Sequence, residues 1–371
     1  MNINLFVFPF VIILGLMCAQ IGTDSAKKAY IGIVSLLFLL ESSLRGYSVG
    51  SDTLNYVYMF SSVEGYSWSE IWQLGLDRYL RKGSDFDVGF MAFQKIFRYF
   101  TSDFHVFTFF AQLTFFVPMG KMLYRYTPSI KSLIFAFVFF VALYQAHTFS
   151  GMRQLYAMGF SFLAVIFYDD RRYKSAIVSM VIGFFIHMSI LLMIIPLGVS
   201  FLSFKQQRTV HLVSFILLPL VLVLGDAIVY FMGSFVGNEQ YANYGQAGMA
   251  GGATTFLLCL EILSLFCYLF LKNNAARKDR TVRFLYCMLP CTTIFAPLIQ
   301  VSGSMVRISE YYFLYLMVLF PLAMIYYAGS YKKGNQLLLI LSIVLSIFSI
   351  ATATGAGANY KFFWQETSIS F

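Results

Sequence analysis

The sequence predicts an all-α fold, a polytopic helical membrane protein of about twelve transmembrane helices, and three observations carry that reading. Over 371 residues the chain is 59% hydrophobic and 19% aromatic but only 12% charged, about half the usual charged share of a soluble domain. Uninterrupted apolar stretches of roughly 17 to 25 residues, the length that crosses a bilayer core, recur from end to end. Between them the lysines and arginines gather in short clusters.

The first apolar segment follows "MNINLF", which has no positive leading region, and no small-x-small cleavage site comes after it. It therefore reads as a first span rather than a secretion signal. "GLMC" is a poor lipoprotein signal, because a methionine sits where a small residue is wanted. Apolar runs between charge clusters then place spans near 3–21, 29–45, 103–121, 132–149, 152–168, 174–187, 188–204, 209–232, 254–271, 283–301, 308–329 and 335–354. The stretch 174–204 could instead form one long tilted helix, and charge decides between the two. Basic residues cluster at Lys27/Lys28, Lys121/Arg125/Lys131, Arg171/Arg172/Lys174, Lys205/Arg208, Lys272 to Arg283 and Lys332/Lys333. With twelve spans and an outside N-terminus all of these fall on the cytoplasmic side, as the positive-inside bias requires; with eleven the later clusters flip outward. Both termini are expected outside.

The chain thus reads as a single integral membrane domain, 1–371, with short basic cytoplasmic loops. The outer side carries a long loop, 46–102, a second loop, 233–252, and a polar tail, 355–371. The net charge of +9 is mostly orientation signal, so no nucleic-acid partner is expected, and any chemistry belongs outside. Within the long loop, "SWSEIWQLGLDRYLRKG" and "DVGFMAFQKIFRYF" have helix-like spacing, with Phe90, Phe93, Phe97 and Phe100 on one stripe. Short helices on the outer membrane surface and plain loop packing are both open readings. The five cysteines lie in apolar runs without metal-ligand spacing and read as packing residues.

Six arginines fall on the outer side: Arg45, Arg78, Arg81, Arg98, Arg153 and Arg307. Arg45, Arg153 and Arg307 sit in the first or last turn of a span, where an ionisable group is costly and is a functional candidate by default. Guanidinium groups bind phosphate oxygens through paired hydrogen bonds, so a cationic cavity at a membrane edge suits a polyprenyl-pyrophosphate-linked glycan. The alternative is that each arginine snorkels to anchor a helix end.

The succession "LRGYSVGSDTLNYVYMF", "DVGF", "SGMRQLYAMGF", "FFIHMSILLMIIP" and "VRISEYYFLY" resembles the EpsG family of exopolysaccharide polymerases, relatives of the Wzy O-antigen and capsule polymerases. The resemblance runs over nearly the whole chain and rests on the order of five motifs, each degenerate alone; Asp87 stands where glutamate is as often expected. It implies a GT-C-like, inverting, metal-independent glycosyltransferase with no cofactor, in the cytoplasmic (inner) membrane of a bacterium. The active site would face outward and elongate undecaprenyl-pyrophosphate-linked oligosaccharide, with a chain-length regulator and a flippase as partners. The expected roles are catalytic for Arg45, Asp52 and His187, with Arg45, Arg153 and Arg307 on the pyrophosphate and Asp52 and His187 rivals for the base. Tyr56, Gln154, Tyr311 and Tyr312 would contact sugars, Asp87 would bind substrate, and Arg307 and Glu310, at i and i+3, would alternatively pair with each other. For His187 a hydrogen-bonded packing role is the competing reading. A flippase or exporter of lipid-linked saccharides and a membrane O-acetyltransferase are the rival functions.

Overall fold

The computed structural model of the chain describes residues 2–80, 86–236, 252–271, 279–352 and 359–366. Arg81 and most of the 233–252 loop lie outside the described residues. Among those described, the regular elements are helices: α1 Asn4–Ile21, α2 Asp24–Ser43, α3 Thr53–Ser62, α4 Trp68–Tyr79, α5 Val88–Arg98, α6 Phe104–Tyr126, α7 Ile130–Leu143, the short α8 Gln145–Thr148, α9 Met152–Asp169, α10 Tyr173–Ile186, α11 Ile194–Ser200, α12 Phe204–Val236, α13 Ala253–Phe270, α14 Arg280–Tyr286, α15 Met288–Phe295, α16 Val306–Phe313, α17 Leu316–Ala328 and α18 Tyr331–Thr352, with short 3-10 turns between. All twelve apolar runs coincide with helical segments. The split at 187 is real at the level of backbone: α10 ends on His187, which is extended at φ −162° and ψ 120°, before a 3-10 turn resumes at Met188.

Six of these segments are long and apolar enough to cross a bilayer by length and composition, and a seventh does so if Gly303–Phe313 and Leu316–Ala328, bent by 55°, form one span. Helices α7 and α10 and the stretch Met188–Ser200 are shorter and apolar. The helices α2 and α9 have the length, 20 and 18 residues, but are more polar.

Helix ends follow local chemistry. The Thr23 hydroxyl accepts from the Ala26 N–H at the start of α2, and the Asp103 carboxylate accepts from the His105 and Val106 N–H groups at the start of α6; each satisfies donors that the first helical turn leaves unpaired. Helix α7, apolar beyond its first turn, is buried from Ser132 to Val141 and packs against α1. By contrast Ile13, Ile216, Val223, Ile262 and Ile347 are exposed on α1, α12, α13 and α18. Such surfaces are favourable only against lipid, and the protein is a multi-pass membrane protein.

The chain divides into two compact units: Met1–Tyr79, Ser84–Ile190 and Asn335–Phe371 form the first, Leu80–Gly83 and Leu191–Gly334 the second. In the first, α10 packs along α9, α9 on α6, α6 on α2, and α1 on α7. In the second, α12 packs on α15 and α13 on α17, around a small core that includes Val221, Val229, Leu298 and Met305.

Candidate active site

The expected helices of the long loop are present as α4 and α5, and they deliver a charged cluster in the first unit. Rings of the α5 stripe meet protein: Phe90 lies edge-on to Tyr56, and Phe93 and Phe97 pack on Phe107 of α6, while Phe100 is exposed. With that face fixed, Asp87 at the head of α5 is held inside, with a fully buried side chain. It does not cap its own helix. Its carboxylate instead accepts a hydrogen bond from Arg153 Nη1 at 2.9 Å and one from His187 Nδ1 at 3.2 Å. Arg78 Nε of α4 lies 3.0 Å from the other carboxylate oxygen, a charge contact without the alignment of a hydrogen bond.

Two backbone features bring Asp87, His187 and Arg153 together. A Cβ on Gly89 would fall 2.7 Å from the carbonyl carbon and oxygen of Phe185, so only glycine lets the first turn of α5 press on the end of α10, two residues before His187. On the other side, Gly151 adopts φ 65°, a left-handed conformation that glycine takes at little cost, and α9 starts directly after it with Arg153 in its first turn. The Gly151 N–H donates to the Asp52 carboxylate at 3.2 Å, so Asp52 anchors the turn that aims Arg153.

Asp87 lies in a connection outside the candidate spans. Burial alone would raise its pKa, but the neighbouring His187, Arg153 and Arg78 outweigh burial and hold the carboxyl below its ordinary range. An ionised carboxylate only accepts, so the Nδ1 of a neutral His187 carries the proton and Nε2 presents a lone pair. Of the three partners Arg153 is the most exposed, with 25% of its side chain accessible. One anion beside two guanidinium groups leaves the cluster cationic. The arrangement can orient an imidazole as a proton acceptor and offer guanidinium N–H groups to an anion.

Asp87, Arg153 and His187, read from three separated motifs, are thus brought into one cluster, and Arg78 joins them although the sequence marked it only as an outer arginine. Arg45 is placed differently. It is 2% exposed, its guanidinium donates to the Ser42 carbonyl and to Thr53 Oγ1, and it touches Met152 Sδ at 3.5 Å. Tyr56 and Gln154 are buried in the same unit. Arg307 and Tyr311 belong to α16 in the second unit, Arg307 half-buried and Tyr311 buried. The Tyr312 hydroxyl donates to the Leu192 carbonyl and its ring stacks on Phe295.

Sequence reasoning gave the outer tail no role, yet it closes on the turn after α2. Arg45 and Phe362 form an antiparallel bridge, and the Tyr360 hydroxyl donates to the Glu41 carbonyl at 2.6 Å. The Glu366 carboxylate accepts from the N–H groups of Tyr47 and Ser48 at 2.7 and 3.0 Å. The concentration of aromatic residues in "YKFFWQE" was the available signal. Among the described residues no three His, Cys, Asp or Glu side chains are grouped to hold a metal ion.

The family model described as EpsG family matches residues 28–365 of the chain. No curated protein and no solved structure matches it significantly.

Proposed function

Since the chain belongs to the EpsG family, Wzy-like polymerases of exopolysaccharide type, we propose that it joins lipid-linked oligosaccharide repeat units by glycosyl transfer from undecaprenyl pyrophosphate. The reaction would take place on the outer face of a bacterial cytoplasmic membrane, in a GT-C-like body of twelve spans. The observation that carries this reading is the Asp87 cluster, in which a buried carboxylate orients an imidazole beside two guanidinium groups.

In this proposal the acceptor sugar hydroxyl gives its proton to His187 Nε2 as its oxygen attacks the anomeric carbon of the donor from the face opposite the leaving group. The bond from that carbon to the pyrophosphate oxygen breaks, and its electron pair leaves with undecaprenyl pyrophosphate. Arg153, with Arg78 behind it, stabilises the charge that grows on the leaving oxygen; a preorganised donor aimed at developing charge is commonly the largest single contribution to catalysis. The leaving group is already stable, so two cationic side chains supply what a metal ion would. Asp52 acts through Gly151 by fixing the start of α9, and Arg45 through Thr53 and the carbonyl of Ser42. Tyr56, Gln154, Arg307 and Tyr311 remain proposed substrate contacts. A chain-length regulator and a flippase would act alongside.

Purified protein in proteoliposomes, supplied with a lipid-linked repeat unit, tests the reading. A ladder of longer lipid-linked glycans that disappears in Arg153→Ala supports it, whereas transbilayer movement of an unchanged repeat unit would assign the chain to transport instead.

A further inference from the structure

Away from the charged cluster, α2 and α6 leave a groove of about 360 Å³ between them. Its walls are apolar, from Ile31, Leu36, Leu39, Leu113, Phe116 and Val117. It is open because small residues line the rest: a Cβ on Gly32 would meet nothing within 4 Å, and Gly120 and Ser35 complete the floor. The Ser35 hydroxyl oxygen is buried there without a hydrogen-bond partner among the described residues.

One end of the groove is cationic. Lys28, Lys121 and Tyr124 stand there. Lys28 pairs with Asp24 at 2.7 Å, the Tyr124 hydroxyl donates to the same carboxylate, and Lys27 donates to the carbonyls of Tyr124 and Thr127. Lys121 is exposed and makes no ion pair among the described residues. With three lysines against one aspartate, the mouth carries an excess of positive charge beside a cleft that only hydrocarbon would fill favourably.

We propose that this groove binds an anionic phospholipid, its phosphate at Lys121 and Lys28 and one acyl chain laid between α2 and α6. Length favours a phospholipid over a longer polyprenyl chain: from Lys28 to Leu39 the helix rises about 16 Å at roughly 1.5 Å per residue, close to half of a hydrocarbon core about 30 Å thick. The groove therefore runs from the interface to about the bilayer midplane, the reach of one leaflet. Basic pockets between membrane helices are a recognised way to select anionic headgroups.

The test uses the full-length protein exchanged into mixed micelles with equal amounts of phosphatidylglycerol and phosphatidylcholine, with retained lipid counted by native mass spectrometry. The wild type retains phosphatidylglycerol preferentially. Lys121→Gln weakens that retention about fivefold, the effect of one lysine near a lipid surface. Gly32→Leu abolishes it by filling the groove while leaving the lysines in place. Lys174→Gln, an exposed basic change remote in sequence from both groove helices, has no effect, and excess polyprenyl phosphate leaves the bound lipid in place. Equal retention of the two lipids by the wild type, undiminished retention in Gly32→Leu, or displacement by polyprenyl phosphate overturns the assignment. Lipid on every side of the micelle makes the result independent of the chain's orientation and of its activity.

Discussion

Asp87 and His187 stand 100 positions apart in the chain and meet at 3.2 Å between carboxylate oxygen and Nδ1. The contact closes a cluster whose other two members, Arg78 and Arg153, come from α4 and α9. Four segments therefore have to be correctly packed before the imidazole acquires a fixed tautomer and direction.

Asp87→Asn removes the charge while keeping the shape. Breaking a buried ion pair from one side leaves cations uncompensated, at a cost of about 3–5 kcal/mol, so the variant is expected to melt at lower temperature. It is also expected to lose chain elongation per folded molecule, because an amide no longer dictates the proton on Nδ1. Thermal melting in detergent with elongation at matched folded protein checks both; an unchanged melting curve would show that the cluster carries no folding energy.

Gly89→Val tests how the cluster is assembled. Its Cβ would collide with the backbone of Phe185, so α5 must withdraw from the end of α10 and separate Asp87 from His187. Elongation should fall at least as far as in Asp87→Asn, and the double variant Gly89→Val with Asp87→Asn should be little worse than either alone. Additive losses would mean that the glycine acts elsewhere.

Arg45 is expected to behave as a clamp. Its loss in Arg45→Ala leaves the Ser42 carbonyl without its donor in a buried setting, at a cost of about 1–3 kcal/mol, so melting temperature and activity should fall together. Arg45→Lys should recover part of both. A drop in elongation of about 10²- to 10³-fold with an unchanged melting temperature, the behaviour of a charge-stabilising donor, would instead put Arg45 on the substrate.

Glu366→Gln probes the tail. Its carboxylate holds the N–H groups of Tyr47 and Ser48, and the neutral amide is a weaker acceptor. Hydrogen exchange should quicken at the amides of Gly46 and Phe363, which bond the Lys361 and Leu44 carbonyls across the bridge. Unchanged exchange there would show that the tail docks without Glu366.

Much of this was legible in the sequence because membrane segments announce themselves through length and apolarity. All twelve runs are helical, and the backbone breaks at His187, where the sequence reading divides 174–204 in two. Arg153 stood out as an ionisable group at a span end and His187 at the turn between two short spans, while Asp87 was named only through the resemblance of its motif to the family pattern. Arg78 did not stand out, because an arginine on an amphipathic surface helix has the same pattern whether it faces water or a buried carboxylate. Arg45 drew attention by its depth, but no pattern reveals that a guanidinium is met by a carbonyl three residues earlier. The tail's docking depends on contacts between residues more than 300 positions apart, for which local periodicity holds no information.

In the proposed reaction His187, oriented by Asp87, accepts the proton of the acceptor hydroxyl. The most direct measurement is elongation of a lipid-linked repeat unit by His187→Gln against wild type in proteoliposomes, at equal folded protein. Glutamine can still donate to Asp87 but offers no basic nitrogen, so the account predicts a loss of about 10²- to 10⁴-fold, the usual contribution of a general base, with nearly unchanged melting. Near-wild-type elongation in His187→Gln would contradict it.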